Sequence, residues 1–275
     1  MPELPEAEAL VRSLRPLLPG YAFDRVQVLR PDVLRVPARE FRQAVSGRRV
    51  TEVGRRAKNI VLTLDSGAAH LVVNLGMTGA LVPLGFPEVE PPRPTHPALR
   101  FFLGSGRSLV YDDVRRFGCV EFLTAAEWAD RTRRLGPEPL SAGYGWQSLH
   151  QGLQASRTPV RNWLLDQRKI AGVGNIYASE ACFRARVHPQ RRADRITEEE
   201  AKRLHRGLRQ VLRSAIRHGG TTLRDYRDAS GEPGRNRSRL RVYGREGLPC
   251  WRCKTPVQRI VFGNRSAFLC PSCQC

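Results

Sequence analysis

The feature that most constrains this chain is a cysteine pattern near its C-terminus. Cys250 and Cys253 form one C-x2-C pair, Cys270 and Cys273 form a second, and 16 residues separate the two pairs. Each pair places two sulfurs on one tight turn, and two such turns complete the tetrahedral thiolate set that zinc prefers. Because the protein supplies all four ligands, no position remains for a substrate. The spacing predicts a zinc ribbon with one structural Zn²⁺, and we expect no organic cofactor.

The residues between the two cysteine pairs predict the shape of the ribbon. Val257 to Val261 and Ala267 to Leu269 have extended character, and Gly263-Asn264 between them predicts a turn. The odd cysteine total of 7 and the crowding at the C-terminal end argue against a disulfide framework.

Charge is the second constraint. The 275 residues include 46 Lys and Arg against 26 Asp and Glu, which gives a formal net charge of +20. Such an excess opposes compaction and favours a polyanionic partner, with nucleic acid as the leading candidate. An anionic membrane surface would use the same charge, but the sequence has no apolar run near the roughly 18 residues of a membrane span and no signal-peptide pattern. The hydrophobic fraction of 41% can bury a core, which excludes overall disorder.

Hydrophobic periodicity divides the chain into a β region and a helical region. Short alternating strands, separated by turns such as Asp65-Ser66-Gly67, predict a β-sandwich or barrel in the first half. Helical spacing follows, and Thr197 with Glu200 forms a capping box at the start of the clearest helix. The aperiodic segment 219–239 is predicted to be a long functional or mobile loop. We therefore predict an α+β fold with a β domain at 1–130, a linker at 131–147, a helical domain at 148–240 and the ribbon at 241–275.

The N-terminus carries a candidate nucleophile. Removal of the initiator methionine would leave Pro2 as a free secondary amine, whose unprotonated fraction could attack an electrophilic carbon and form an iminium. The adjacent Glu3 could donate a proton to an opening sugar ring or a leaving group. Pro and Glu also suit the first turn of a helix, and residues 7–15 have helical spacing. A purely structural interpretation of both residues therefore stays open.

A glycine-rich segment, KIAGVGNIY at 169–177, is a candidate phosphate-binding site. Gly172 and Gly174 would let the backbone approach a phosphate, and the N–H groups of the following helix would face it with the Asn175 amide. The same spacing also fits a tight turn between two helices. The segment does not follow a strand, which disfavours a dinucleotide-binding fold.

These segments together resemble the formamidopyrimidine-DNA glycosylase family over essentially the whole chain. The motifs that carry the resemblance, in family order, are PELPEAE, RRAKNI, NLGMTG, RRFG, LGPEPLS, AGVGNIYASE and the four-cysteine ribbon. The resemblance implies an N-terminal catalytic β-sandwich, a helical helix-two-turn-helix domain with a lesion loop, and a zinc-ribbon finger. It also implies a bifunctional base-excision repair enzyme. Such an enzyme removes oxidised purines through an N-terminal proline Schiff base and then cleaves the strand by β/δ-elimination as an AP lyase.

The resemblance assigns roles to individual residues. It implies that Pro2 is the Schiff-base nucleophile and Glu3 the general acid. Lys58 would bind phosphate and donate a proton during β-elimination, although on its own it would be one cation on a solvated surface. Arg265 would bind phosphate and serve δ-elimination, and Asn175 would bind phosphates beside the lesion.

Further residues are implied in opening the duplex. An enzyme that acts on a base must first take it out of the stack and fill the vacancy. By resemblance Met77, Arg115 and Phe117 fill it, and Arg115 hydrogen-bonds the opposite base. Core packing remains the alternative for Met77 and Phe117. His96 and Arg157 resemble further DNA-contacting positions.

The chain departs from the family pattern at three places. Val114 stands where the family commonly has proline, which could alter the turn that aims Arg115. The segment before Arg157 has fewer lysines than usual. Arg235-Asn236-Arg237 replaces a more aromatic stretch, a change that bears on the lesion preference.

Two alternative functions stay open. The sister endonuclease VIII group, which acts on oxidised pyrimidines, more often begins PEGPE, so Leu4 favours the purine enzyme. A non-catalytic, zinc-bearing binder of damaged DNA is disfavoured because Pro2, Glu3 and Lys58 are all present. We expect a monomer that binds damaged double-stranded DNA, with no membrane partner, in a bacterial-type cytoplasm.

Overall fold

The computed structural model describes residues 2–224, 226–262 and 265–274, and the chain divides into two compact units. Unit 1 comprises Met1–Arg134 and Ile216–Arg237, and unit 2 comprises Leu135–Ala215 and Ser238–Cys275. Within the described ranges, no helix combines the length and the apolarity that crossing a membrane would require.

Two antiparallel sheets form the framework of unit 1. Its strands are β1 (Arg25–Val28), β2 (Val50–Arg56), β3 (Asn59–Leu64), β4 (Ala69–Asn74), β5 (Gly79–Leu84), β6 (Pro97–Phe102), β7 (Ser108–Asp113) and β8 (Cys119–Thr124). One four-stranded sheet has the order β2-β3-β4-β8, and the other has the order β1-β6-β7-β5. The predicted turn at Asp65-Ser66-Gly67 is confirmed as a 3-10 turn between β3 and β4, with Asp65 and Ser66 in the left-handed region.

The helices of unit 1 are α1 (Leu4–Leu14), α2 (Ala38–Val45) and α3 (Ala125–Arg133). Leu10 of α1, Leu62 of β3 and Leu99 of β6 belong to one buried cluster, so both sheets and α1 share a core. The predicted α+β fold with an N-terminal β-sandwich is therefore confirmed. The first helix begins at Leu4 rather than at residue 7, because Pro5 fits a first helical turn.

Unit 2 is mainly helical. It contains α4 (Trp146–Gln154), α5 (Val160–Leu165), α6 (Asn175–Ala185) and most of α7 (Glu198–Arg217). The capping box at the start of α7 is confirmed, because the Thr197 N–H donates to the Glu200 carboxylate at 2.9 Å and the Glu200 N–H donates to the Thr197 hydroxyl at 3.3 Å. Residues 169–174 of the glycine-rich segment lie between α5 and α6, and residues 175–177 begin α6.

The ribbon ends unit 2. It contains β9 (Gln258–Phe262) and β10 (Arg265–Leu269), which pair antiparallel. The predicted turn at Gly263-Asn264 lies outside the described residues. The four cysteines cluster as the spacing predicts, and the zinc-ribbon prediction is confirmed.

The segment 219–239 is largely free of helix and strand, but parts of it pack into unit 1. A short 3-10 helix covers Asn236–Arg239. Tyr226 and Ala229 are buried in the same core cluster as α1 and both sheets. Long loops in compact domains are usually functional. Burial of these two side chains anchors this loop in the core of unit 1.

Candidate active site and nucleic-acid interface

The N-terminal candidates lie at the start of α1. Pro2 and Glu3 are both buried, and Glu3 is the N-cap of the helix, with Glu6 as its capping-box partner. The Glu6 carboxylate accepts a hydrogen bond from the Glu3 backbone N–H at 2.8 Å. The structural interpretation of Glu3 as a helix start is thus confirmed. The catalytic roles of Glu3 and Pro2 remain predictions. The start of the helix would hold both residues in a fixed geometry.

The same glutamate connects the N-terminus to the 219–239 segment. The second oxygen of Glu6 accepts a hydrogen bond from the Thr221 N–H at 2.7 Å, and the Tyr226 hydroxyl donates to the Glu6 carbonyl at 3.1 Å. The buried Asn236 side chain donates to the Thr221 hydroxyl at 2.9 Å. The Glu6 carboxylate therefore holds the start of the predicted lesion loop and also holds Glu3, the residue next to Pro2.

Lys58 occupies the turn between β2 and β3. Arg56 pairs with Asn59 in the ladder, so Ala57 and Lys58 form a two-residue turn with Ala57 in the left-handed region. The Arg55 guanidinium donates to the Ala57 carbonyl at 2.7 Å, and this hydrogen bond stabilises the turn. The Lys58 side chain is partly exposed, as a phosphate-binding cation would need to be.

Two asparagines join the Lys58 turn to the Met77 turn. Asn59 and Asn74 are partners across β3 and β4, and the Asn74 amide donates to the Asn59 side-chain oxygen at 2.9 Å. The Asn74 side-chain oxygen in turn accepts from the Gly76 N–H at 3.0 Å. Because Asn59 and Asn74 both belong to strands, these two hydrogen bonds fix the position of the Lys58 turn relative to the Met77 turn.

Met77, Arg115 and Phe117, which we name the wedge group, are exposed rather than packed in the core. The exposed fraction is 37% for Met77 and 62% for Phe117, and the Arg115 guanidinium carbon lies 4.5 Å from the centroid of the Phe117 ring. Large apolar side chains at such exposure gain little from burial. The core-packing alternative is therefore wrong for both Met77 and Phe117.

Two glycines bring the two turns of the wedge group together. Gly76 has φ 56°, and a Cβ on it would lie 2.3 Å from the Gly118 nitrogen. A Cβ on Gly118 would lie 2.0 Å from the Tyr111 hydroxyl oxygen. Only glycine fits at either position, because any side chain would separate the two backbones. The glycines of NLGMTG and RRFG thus place Met77 beside Phe117.

Asp113 organises the turn that carries Arg115. It is 1% exposed, and its carboxylate accepts hydrogen bonds from the Thr78 hydroxyl at 2.6 Å and the Gly118 N–H at 3.1 Å. The Tyr111 hydroxyl donates to it at 3.0 Å, and the Arg115 N–H donates at 3.3 Å. Burial, reinforced by the Asp113 charge, raises the pKa of Tyr111, so its hydroxyl stays a donor.

The departure from the family pattern at Val114 lies in the turn that Asp113 holds. Val114 is 49% exposed and lies between Asp113 and Arg115. Because Asp113 accepts bonds from both sides of the turn, the carboxylate holds the position of Arg115 without a proline at residue 114. No sequence signal marked Asp113 beyond its place next to the RRFG motif.

His96 lies beside the same turn. The side chain is exposed. The backbone N–H of His96 donates to the Asp112 carboxylate at 2.6 Å, and its backbone carbonyl accepts from the Asp113 N–H at 3.1 Å. The structure therefore brings His96 to the segment that carries the wedge group. Its DNA contact remains a prediction.

In unit 2, Asn175 and the ribbon meet at one carbonyl. Asn175 is the first residue of α6, and its amide donates to the Ser266 carbonyl at 3.0 Å. Arg161 of α5 donates to the same carbonyl at 2.9 Å and also hydrogen-bonds the Asn175 side-chain oxygen. Ser266 follows Arg265 in β10, so the predicted phosphate ligands Asn175 and Arg265 are brought close together within this unit.

Arg161 is a residue that sequence reasoning missed. It is 1% exposed, and burial lowers the pKa of its guanidinium. Its guanidinium carbon lies 4.9 Å from the centroid of the Phe262 ring, a cation–π contact with the ribbon. The signal that could have found it is a lone cation inside the apolar helical run of α5. Arg157, by contrast, is exposed between α4 and α5 and makes no hydrogen bond in the described ranges.

The four cysteine sulfurs form the metal centre. Their Sγ atoms all lie within 4.8 Å of one another, with Cys253 and Cys270 at 3.3 Å. Four thiolates at these separations fit tetrahedral zinc with no open position. The buried side chains of Phe183, Val242 and Val257 pack with the cysteines. The cluster holds one structural zinc, which replaces the hydrophobic core that so small a ribbon lacks.

A buried glutamate connects α6 to the segment that leads into the ribbon. Glu180 is 2% exposed, and one of its oxygens accepts from the N–H groups of Arg241, Val242 and Tyr243 at 2.9 Å each. Burial raises the pKa of Glu180, and these donors oppose that shift. It lies within the AGVGNIYASE motif, which is the signal that could have identified it.

Comparison with known proteins matches the whole chain to one family. Three family profiles match in order: the formamidopyrimidine-DNA glycosylase N-terminal domain at 1–120, the formamidopyrimidine-DNA glycosylase H2TH domain at 135–227 and a zinc finger found in FPG and IleRS at 247–274. A formamidopyrimidine-DNA glycosylase from Thermus thermophilus is 47% identical over 279 residues, covering 100% of this chain and 98% of its own.

Two solved structures extend this similarity to three dimensions. The crystal structure of the MutM (Fpg) protein from Thermus thermophilus has a TM-score of 0.88 and 44% identity, covering 99% of this chain and 98% of that one. A complex between a Lactococcus lactis Fpg mutant and a Fapy-dG containing DNA has a TM-score of 0.90 and 27% identity, with 99% of both chains covered.

Proposed function

Because the chain belongs to the formamidopyrimidine-DNA glycosylase family, we propose that it excises oxidised purines, 8-oxoguanine and formamidopyrimidines, from double-stranded DNA and then cleaves the strand. The observation that carries the proposal is the exposed wedge group, held by Gly76, Gly118 and Asp113. Its apolar members gain nothing by facing water, but they suit the gap left by an extruded base. The Lactococcus lactis relative bound to Fapy-dG DNA supports the substrate class.

Pro2 supplies the nucleophile for base release. Its nitrogen bonds to C1′ of the damaged nucleoside as the C1′–N bond to the base breaks, and the departing base leaves with the bonding electrons and takes up a proton. Glu3 then protonates O4′ as the C1′–O4′ bond opens, and loss of the proton on nitrogen leaves an iminium. The hydrogen bond from Glu3 to Glu6 supports this role, because it fixes the backbone beside the amine.

Strand cleavage follows from the iminium. Loss of the C2′ proton expels the 3′ phosphate by β-elimination, and loss of the C4′ proton expels the 5′ phosphate by δ-elimination. Lys58 binds phosphate and supplies a proton in the first elimination, and Arg265 binds phosphate in the second. The cationic side chains of both residues are at least partly exposed, which supports these assignments.

The remaining residues bind and open the duplex. Arg115 donates hydrogen bonds to the base left unpaired, His96 and Arg157 contact the strand, and Asn175 binds backbone phosphates together with Arg265. Zinc keeps the ribbon folded, so the four cysteines act on DNA binding only through Arg265 and its hairpin. The hydrogen bonds of Asn175 and Arg161 to Ser266 support a single phosphate-binding surface in unit 2.

Borohydride trapping tests the nucleophile. Borohydride reduces an iminium to a stable amine, so reaction with an 8-oxoguanine duplex should give a covalent protein–DNA adduct whose peptide map places the DNA on residue 2. No adduct, or an adduct that persists unchanged in Pro2→Gly, would overturn the mechanism. Intact-mass analysis of the active protein should show loss of the initiator methionine, because a blocked Pro2 has no reactive amine.

The two alternative functions give different results in the same assay. Faster excision of thymine glycol than of 8-oxoguanine would assign the chain to the oxidised-pyrimidine group. Affinity for damaged duplex without base release would make it a non-catalytic binder. We further propose that the enzyme acts as a cytoplasmic monomer. Its bacterial relatives support the location, and mass photometry of the DNA complex should give one protein per duplex.

A further inference from the structure

Helix α7 carries a row of cations on the side opposite its buried face. At about 100° per residue, Lys202, Arg206, Arg209 and Arg213 fall within an arc of about 60°. We name these four residues the α7 cationic stripe. The buried face of the helix, which includes Leu204 and Leu208, lies on the other side. A Cβ on Gly207 of that buried side would lie 2.9 Å from the Arg184 Cβ of α6, so the stripe faces away from α6.

A cavity of about 390 Å³ opens along this stripe. Its lining includes the four cations together with Trp146 and His205. Arg209 is fixed in the wall of this cavity, because its guanidinium donates to the carbonyls of Pro139 and Ser141 at 2.9 Å each. The Lys202 ammonium lies 4.6 Å from the centroid of the Trp146 ring. Two of the four cations thus shape the cavity, and Arg206 and Arg213 remain for a ligand.

The charges of Arg206 and Arg213 are not paired within the part of the chain that the structure describes. Residues 201–217 contain no Asp or Glu. Among residues 2–224, 226–262 and 265–274, no carboxylate lies within 4.0 Å of Arg206 or Arg213, and both side chains are exposed. Burial and then the charges of Arg209 and Arg213 lower the pKa of His205, although its contact with the Tyr144 carbonyl opposes that shift.

The geometry favours a backbone of phosphates over an acidic peptide. Arg206 and Arg213, the two cations that remain for a ligand, are about 10 Å apart along the helix axis, which covers about three phosphates of one DNA strand at about 3.4 Å of axis each. Guanidinium groups pair with phosphate in a planar fork. A protein partner would need a central apolar pocket, but the aromatic ring of this lining, Trp146, already has a cation over it.

We propose that the α7 cationic stripe binds the phosphodiester backbone of a second DNA segment while the enzyme holds a damaged duplex. This inference rests on the proposed function, since it takes a bound damaged duplex as given. One protein molecule would then contact two DNA segments at once. Such a contact lets a repair enzyme pass between segments without full dissociation.

Two-colour fluorescence cross-correlation can test the proposal. A green duplex with a stable abasic-site analogue is bound first, and a red undamaged duplex is then added at about 50 mM salt, where phosphate contacts are strong. We expect both colours to diffuse together on particles that mass photometry shows to contain one protein. The double variant Arg206→Gln, Arg213→Gln should lose this co-diffusion by about fivefold or more and should lower the salt slope by up to about 0.9 for each lost phosphate contact.

The matched control removes the same charge elsewhere. Arg39 and Arg42 of α2 in unit 1 are exposed and make no ion pair within the described ranges, so Arg39→Gln, Arg42→Gln changes net charge equally without touching the stripe. This control should keep full co-diffusion. An equal loss in the control would show that only net charge matters, and this result would overturn the site.

Single-turnover excision separates this inference from the proposed function. The stripe variant should excise 8-oxoguanine at the wild-type rate from a short saturating duplex, and a parallel loss of excision would show that these arginines serve the first duplex instead. Normal excision without any co-diffusion in the wild type would overturn only the second site. A polyglutamate peptide that binds the stripe while DNA does not would assign the surface to an acidic protein.

Discussion

The Glu6 carboxylate accepts a hydrogen bond from the backbone N–H of Thr221 at 2.7 Å, although the two residues are 215 positions apart. Its other oxygen accepts from the Glu3 N–H at 2.8 Å. One buried side chain therefore sets both the start of α1 and the start of the 219–239 segment. The proposed lesion loop and the proposed nucleophile Pro2 therefore depend on the same buried carboxylate.

Glu6→Gln should remove one of the two hydrogen bonds that the Glu6 carboxylate accepts from Glu3 and Thr221. Glutamine has one acceptor oxygen, so its amide would face one of the two N–H groups, at a cost of about 1–3 kcal/mol for the lost buried bond. We expect faster amide exchange at Glu3 or Thr221 and a lower rate of borohydride-trapped adduct. Glu40→Gln, at an exposed position of α2, should change neither quantity. Unchanged exchange and trapping in the Glu6 variant would show that this carboxylate positions nothing.

The wedge group should contribute to DNA opening and not to stability. Because Phe117 is 62% exposed, Phe117→Ala should change the free energy of unfolding by no more than about 0.5 kcal/mol. The preference for damaged over undamaged duplex should fall about tenfold, since the gap left by the extruded base stays unfilled. Thermal unfolding and competition binding measure the two effects. Val114→Ala, at a similarly exposed apolar residue, should preserve the preference.

Asp113→Asn should loosen the turn that aims Arg115. An asparagine cannot accept all four hydrogen bonds, so we expect a loss of about 1–3 kcal/mol in unfolding free energy and slower excision. Hydrogen exchange should accelerate at Arg115 and Gly118, whose N–H groups donate to the carboxylate. Asp112→Asn affects the contact to His96 instead and should leave exchange at Gly118 slow. Wild-type exchange in the Asp113 variant would mean that Val114 and its neighbours define the turn.

Removal of zinc should unfold the ribbon and weaken DNA binding. A strong chelator, or Cys253→Ser, removes the coordination that replaces a core in this segment. We expect loss of the dispersed NMR signals from 247–274, with the signals of unit 1 unchanged, and loss of affinity for damaged duplex. A variant that keeps both its ribbon signals and its affinity would contradict the structural role of zinc.

The Glu121–Arg131 ion pair should make the stability of unit 1 sensitive to acid. Hydrogen bonding from Arg131 lowers the pKa of Glu121 below its ordinary value of 4.5. The folded pKa lies below the unfolded pKa, so the stabilisation is present above about pH 4.5 and is lost as the pH falls through the folded value. Because Arg131 is 39% exposed, solvent screening limits the contribution to about 1 kcal/mol.

Denaturant unfolding at two pH values checks this pair. Glu121→Gln should be less stable than the wild type at pH 7 and nearly equal to it near pH 3. Glu88→Gln, at an exposed residue outside the pair, should match the wild type at both pH values. A deficit in Glu121→Gln that persists at low pH would assign the effect to packing rather than to charge.

Much of the fold was predictable because its signals are local. The capping box of Thr197 and Glu200, the turn at Asp65-Ser66-Gly67 and the paired cysteines each depend on residues a few positions apart. Other elements were missed because a single local signal without an apolar period is not enough. Helix α3 begins at a capping box of Thr124 and Glu127 but buries no residue, so no periodic apolar face marked it.

The candidate site was predictable only in part. The motifs named Met77 and Phe117, yet spacing could not decide between exposure and core packing. Their exposure depends on the close approach of Gly76 to Gly118, two turns that meet only in the folded sheet. Asp113 and Arg161 had no motif of their own, because their partners, both backbone groups and side chains, mostly come from other elements that meet them only in the folded chain.

The sequence by itself determined the family, the order of its parts, the zinc ligands and the residues that could carry the chemistry, since all of these are encoded in residue type and short spacing. Only the tertiary structure decided which polar groups hydrogen-bond to one another across long stretches of the chain. Arg161 reaches Ser266 across 105 positions, and Thr221 reaches Glu6 across 215. Such contacts depend on where the chain returns to itself, and burial gives them their strength, because an unpaired polar group is costly only where water is excluded.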